Sequence, residues 1–337
     1  MATTIGAACR RGAASAIAAL AVVAGLTACS TSNQTESEPA SGPGTGFPVT
    51  VDHGQGSADI ASTPQRVVTL GWTDAQIANA LGAPIVASVR NPASVDGNWP
   101  GMKSPLPEEV LALDSVTPNV EKIASYRPDL ILMTSAQPSF SEIYDKLSNI
   151  APTISYRTAL LQDDGDDLTT MIGAALGKSD EARQLITSSD KAIGDFAASL
   201  PGLQGARAVF GQNYQGSTGV ITARTAPVVR FLERLGLTAP DELVKLAESN
   251  ALGTAQLADE NLGLLDTADI AFVNTPGGQD EFAALPIVQS LTLTTTGNIH
   301  YTGNDVASLM LTPNPAVTTV LLDQLGGPLT EFATRRD

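Results

Sequence analysis

The sequence predicts an α/β protein of two lobes, with parallel-type sheets covered by helices and one long rigid helix joining them. Short β-branched runs bounded by Pro, Gly or Asp alternate with helical patterns from about residue 47 onward. The alternation recurs in the second half. Between the halves lies one amphipathic stretch, SDEARQLITSSDKAIGDFAASLPG (179–202), which reads as a helix of about 20 residues and roughly 30 Å. With 337 residues, 43% of them hydrophobic, the chain can fill two cores.

The chain opens on a secretion signal. Arg10 and Arg11 precede the apolar segment GAASAIAALAVVAG (12–25), and LTAC (26–29) stands at the cleavage position. The apolar run falls short of the ~20 residues that span a bilayer. The L-T-A-C-S string is a lipobox, so residues 1–28 are expected to be removed and Cys29 to carry lipid as the first residue of the mature protein. The mature chain would then sit on the outer face of a bacterial cytoplasmic membrane. Cleavage takes away two arginines and no acid, moving the formal charge from −16 to −18. It also removes Cys9 and leaves no pair for a disulfide, so an exported protein must rely on its core. Residues 29–46, rich in Ser, Thr, Gly and Pro, are too poor in apolar groups to repay ordering and form a tether.

The N-terminal lobe is assigned residues 47–178. RVVTL (66–70), PIVAS (84–88), DLILMT (129–134) and PTISY (152–156) read as buried strands. DAQIANALG (74–82) between the first two is a helix stopped by Gly82. Asn119 caps a helix that begins NVEKI and leads into the strand of DLILMT. The connecting helix, 179–201, is expected to be capped by Ser179, with Gly194 its only internal weakness. In the C-terminal lobe, 202–337, ARAVFG (206–211) and DIAFVN (269–274) are strands, and APVVRFLERLG (226–236) is an amphipathic helix with Pro near its start and Gly at its end.

Several functions are disfavoured by composition. Nineteen Lys and Arg against 35 Asp and Glu leave no broadly basic face for nucleic acid. GAALGKS (173–179) ends like a phosphate loop, but three residues instead of four separate its glycines and a helical pattern precedes it. Two histidines, His53 and His300, cannot build a metal cluster, and DDGDD (163–167) lacks the ligand spacing of a calcium loop. No Gly-x-Ser-x-Gly elbow occurs. An exported carboxylate-dependent hydrolase is the weaker reading, because no pair of acids stands out.

The lipobox, the tether, PQRVVTLGWTDAQIANALG (64–82), NVEKIASYRPDLIL (119–132), the long central helix and LADENLGLLDTADIAFV (257–273) together resemble the substrate-binding lipoproteins of ABC importers for iron siderophores, haem and cobalamin. The resemblance runs from about Pro64 to Pro328. It implies a monomer that holds its ligand between two lobes joined by one helix, closes little, and delivers the ligand to an ABC permease dimer with its ATPase. No intrinsic cofactor is implied; a ferric siderophore is the transported ligand, with haem or cobalamin the alternatives. A siderophore encloses its iron in organic groups, so the carrier needs no metal ligands of its own.

Ligands of open α/β sheets bind beyond the carboxyl ends of the strands. By that analogy the cleft residues are Trp72, Arg90, Trp99, Tyr156, Arg157, Asn213, Tyr214 and Arg224. Aromatic faces would pack on the chelate, and guanidinium groups would pair with its negative oxygens. For haem, Tyr156 or Tyr214 would serve as axial ligand. The resemblance further implies that one acid on each lobe pairs with arginines of the permease, here Glu121 in NVEKI and Glu260 in ADENL.

Overall fold

A computed structural model describes residues 46–214, 216–248 and 253–336. The secretion signal, Cys29 and all of the tether except Gly46 lie outside the described residues. The first sheet contains β3 (Val67–Thr69), β4 (Ile85–Ser88), β5 (Leu130–Leu132) and β6 (Thr153–Ile154), preceded by a separate hairpin of β1 (Val49–His53) and β2 (Gly56–Ile60). Its order is β4-β3-β5-β6 and every pairing is parallel. All three residues of β3 and of β5 are buried, as strands with both faces covered must be. On one face Val67, Leu130, Leu132 and Ile154 pack with the helices Trp72–Ala80 and Gly165–Ala175. On the other Val68, Ile131 and Met133 meet Ile123, Phe140 and Leu147.

The second sheet holds β7 (Ala208–Tyr214), β8 (Ser217–Ile221), β9 (Thr254–Leu257), β10 (Ile270–Asn274) and β11 (Ile299–Thr302), in the order β11-β10-β7-β8-β9. The α/β expectation holds, and this second sheet is mixed. β11, β10 and β7 run parallel, but β8 is antiparallel to both β7 and β9. The cause is a tight turn at Gly216, whose φ of +78° only glycine adopts freely. ARAVFG consequently continues to Tyr214 as one arm of a hairpin instead of ending in a loop at residue 211. The β1–β2 hairpin has no counterpart among the expected strands, although burial alternates along both arms, the period-two signal of a half-buried hairpin.

The connecting helix spans Ser179–Ser199 and continues through Gly194. Ala182 is buried in the core of the first lobe and Ile193 in that of the second. Ser179 is not its cap: Lys178 holds that position and no side-chain cap bond forms. Gly82 ends its helix as expected, at φ of +69°, and Gly177 ends the helix Gly165–Ala175 in the same way, at +68°. Asn119 caps its helix by accepting a 2.8 Å bond from the Lys122 amide.

The helix is not the only link between the lobes. The chain returns to the first lobe at Thr312–Ala316 before entering the long helix Thr318–Thr334. Trp72 Nε1 and Thr73 Oγ1 both donate to Thr312 Oγ1, at 2.7 and 3.0 Å, and Asn314 Nδ2 donates to Gln76 Oε1 at 3.0 Å. A Cβ at Gly165 would lie 2.6 Å from the Asn314 Cα, so this crossing needs a glycine beneath it. Nearby, Arg230 pairs with Asp164, and Arg234 with Asp166 and Asp190. Burial and then the charge of Asp164 push Asp166 up to about 6, against the pull of Arg234.

Candidate ligand cleft

The cleft lies where the carboxyl ends of both sheets face each other. Its first-lobe wall begins at Gly71, directly after β3. A Cβ there would fall 2.6 Å from the Ser135 carbonyl carbon, so glycine lets the β3 and β5 connections touch. The turn sets Trp72 at the start of its helix, 8% exposed, its indole N–H held by Thr312. The expected start of this helix at Asp74 is two residues late, which places Trp72 in the first turn instead of a loop.

Below it Asp74 is completely buried. One oxygen accepts from the Thr134 amide and hydroxyl, while Oδ2 has no hydrogen-bond partner. Burial outweighs these bonds and pushes the carboxyl up to about 6. After β4, Asn91 braces the loop by donating to the Asn98 carbonyl and accepting from the Ala93 amide. That loop delivers Trp99, whose indole N–H donates to the Val89 carbonyl at 3.0 Å. The two indoles lie 5.8 Å apart, tilted by 38°, within the range of paired aromatic rings.

Amides build the opposite wall. Gln212 on β7, level with the end of β10, donates to Asn274 Oδ1 at 3.3 Å, and Asn274, closing β10, donates to Asn304 Oδ1 at 3.2 Å and to the Thr302 carbonyl at 2.9 Å. A ladder of three amides thus links β7, the end of β10 and the helix that follows β11. Between this wall and the two indoles is a cavity of about 290 Å³. A second cavity of about 600 Å³ adjoins it, sharing Gln212 and Leu311. Its walls are largely apolar, with Leu160, Tyr214, Ile221 and Val228 among them, and Leu161 projects from a backbone with φ of +60°. Cavities of this size suit a compact organic ligand.

The structure brings together only some of the residues that the sequence nominates. Trp72 and Trp99 line the smaller cavity and Tyr214, 65% exposed, the larger. Asn213 lies beside Tyr214 on β7, where its amide donates to Thr218 Oγ1. Tyr156 packs its ring on the turn of the N-terminal hairpin: a Cβ at Gly54 would lie 2.6 Å from it. Arg157 is exposed and pairs with Asp167 at 3.5 Å. Arg224 pairs with Glu233 and Asp241 at 3.5 and 3.1 Å. Arg90 covers Gly97 of its own loop and lines a separate depression with Glu108, Asp114 and Lys122. The amide ladder is absent from the sequence reading, although DIAFVN ends a wholly apolar run with one polar residue. That change of character at a strand end is the signal.

Both proposed docking acids are exposed. Glu121 occupies the first turn of the helix Val120–Ser125, which leads into β5, and Glu260 lies in the 3₁₀ helix Asp259–Thr267 after β9. β9 runs in the direction of β7, so Glu260 stands beyond the carboxyl end of its strand. Among the described residues no group of three or more His, Cys, Asp or Glu side chains could hold a metal ion, and no helix is long and apolar enough to cross a membrane.

The chain belongs to the periplasmic binding protein family. The family model matches residues 67–306, from β3 into the last cleft-lining helix. The probable siderophore-binding lipoprotein YfiY of Bacillus subtilis is 27% identical over 228 residues, just under two thirds of either chain at 66% of each. The Fe(3+)-citrate-binding protein YfmC of the same organism is 29% identical over 259 residues, covering 74% of this chain and 77% of that one. Among solved structures, a periplasmic solute binding protein from Mycobacterium smegmatis superposes with a TM-score of 0.71 at 29% identity, over 86% of this chain and 99% of the other.

Proposed function

We propose that this family member is an extracytoplasmic, lipid-anchored solute-binding protein that captures a ferric siderophore between its lobes and presents it to an ABC permease. The supporting observation is the cleft: two indoles face a ladder of amides across strand ends, with an apolar cavity beside them and no metal-ligating cluster among the described residues. That surface can pack on the organic shell of a chelate without touching the iron. Trp72, Trp99, Tyr214, Gln212 and Asn274 are the residues proposed to contact it. Relatives whose names specify siderophore and Fe(3+)-citrate binding support the same ligand chemistry.

The chain's only two tryptophans line this cleft, so ferric siderophores should quench intrinsic fluorescence saturably. A Soret shift with haem, combined with no quenching by any ferric chelate, would replace this reading with haem carriage. Glu121 and Glu260 are proposed to dock one lobe each on the permease. Reversing both to Lys should abolish iron uptake by cells and leave affinity in solution unchanged; retained uptake would reject the docking role.

A further inference from the structure

Resting on the ferric-siderophore reading, we infer that the cleft selects chelates of zero or positive net charge, the tris-hydroxamate class, over anionic catecholates and citrate. None of the described residues lining either cavity is Lys, Arg or His. The internal residues outside the description within the second lobe, Gln215, Ser249, Asn250, Ala251 and Leu252, carry no ionisable side chain, and the terminal Asp337 is an acid. The one charged side chain on the lining is an acid, Glu248, exposed at the edge of the larger cavity.

Nearby cations are turned to other work. Arg224 is shared between Glu233 and Asp241, Arg157 pairs with Asp167, and Arg90 lies on Gly97 beside a different depression. An anionic chelate would give up hydration without meeting a countercharge, and would approach Glu248 and an acidic protein as well. An uncharged chelate meets no such barrier. The walls suit it, since indole faces and aliphatic side chains take its organic body, and the remaining N–H groups of Gln212 and Asn304 are donors for neutral carbonyl oxygens.

The distinction follows from the proton chemistry of the chelating groups. Each hydroxamate gives up one proton, so three of them cancel the charge of a ferric ion. Each catechol gives up two, and a tris-catecholate stays strongly anionic. Ferrichrome and ferrioxamine B on one side, and ferric enterobactin and ferric citrate on the other, therefore separate the alternatives by charge.

Titrating the purified protein with each and following tryptophan quenching should give dissociation constants roughly 100-fold or more lower for the hydroxamates. Equal or tighter binding of enterobactin or citrate complexes would overturn the charge selectivity and leave siderophore carriage standing. Quenching by none of the four would overturn both. Gln256→Arg, at an exposed position on β9 that lines the larger cavity, places a cation on the lining. It should tighten ferric enterobactin binding about 10-fold relative to ferrichrome binding; an unchanged ratio of the two constants would count against the inference.

Discussion

The two walls of the cleft solve the same problem by different means. In the first lobe, a helix start and a loop after short parallel strands carry large rings, and each ring is fixed by one hydrogen bond from its indole N–H. In the second lobe amides on and just after the strands fix one another. The first wall supplies area; the second supplies direction. Loss of a ring should therefore damage packing and binding together, whereas loss of an amide should act through unpaired neighbours.

Trp72 offers the largest test of this contrast. It is buried, touches Trp99 and bonds across the lobes to Thr312, so Trp72→Ala should cost about 3–5 kcal/mol in denaturant unfolding and most of the ligand affinity. If stability holds while affinity collapses, the ring is a ligand platform and not a structural part of the interface. Asp74, in the same turn, should give the next largest effect. Its folded carboxyl sits at about 6 against the ordinary 3.8, so the unfolded chain releases this proton first. Its own contribution to stability is therefore greatest below about pH 4 and is lost as pH rises through 6, by about 3 kcal/mol in all. Asp74→Asn should flatten that decline in unfolding midpoints measured between pH 4 and 7; an unchanged profile would mean the buried acid is not its source.

On the amide wall, Asn274→Ala leaves Thr302, Gln212 and Asn304 without their shared partner, and should cost about 1–3 kcal/mol. Gln212→Ala, at the half-buried end of the ladder, should cost less stability but weaken ligand binding comparably, which titration of both variants would compare. The smallest effect is expected at Arg234. Its ion pairs to Asp166 and Asp190 are partly exposed, so Arg234→Ala should change stability by about 1 kcal/mol or less.

Different parts of this molecule were legible to different degrees. The runs around β3, β5 and β10 are apolar because both sheet faces are covered, and that pattern survives without any tertiary information. Gly82, Gly177 and Asn119 announce helix ends by local geometry alone. The β7–β8 reversal depends on one positive-φ glycine, and its strands look no different from parallel ones. In the site, Trp72 and Trp99 could be found because aromatic residues are scarce, at 4%. The arginines could not be judged, since whether a guanidinium faces a ligand depends on which acids lie within reach. Glu233 and Asp241 reach Arg224 only after the helix Pro227–Arg234 has folded. Amides such as Asn274 are common in loops and declare themselves only when β7, β10 and the connection after β11 come together.

The return of the chain at Thr312–Ala316 has a mechanical meaning. If the backbone were nicked between the connecting helix and β7, near Pro201–Leu203, the halves would not drift apart as beads on a cut string. Trp72, Thr73 and Gln76 would still grip Thr312 and Asn314, and Ser189 would still bond Thr318. The two fragments should stay together as a stapled pair, with the covalent strut as a spare fastening.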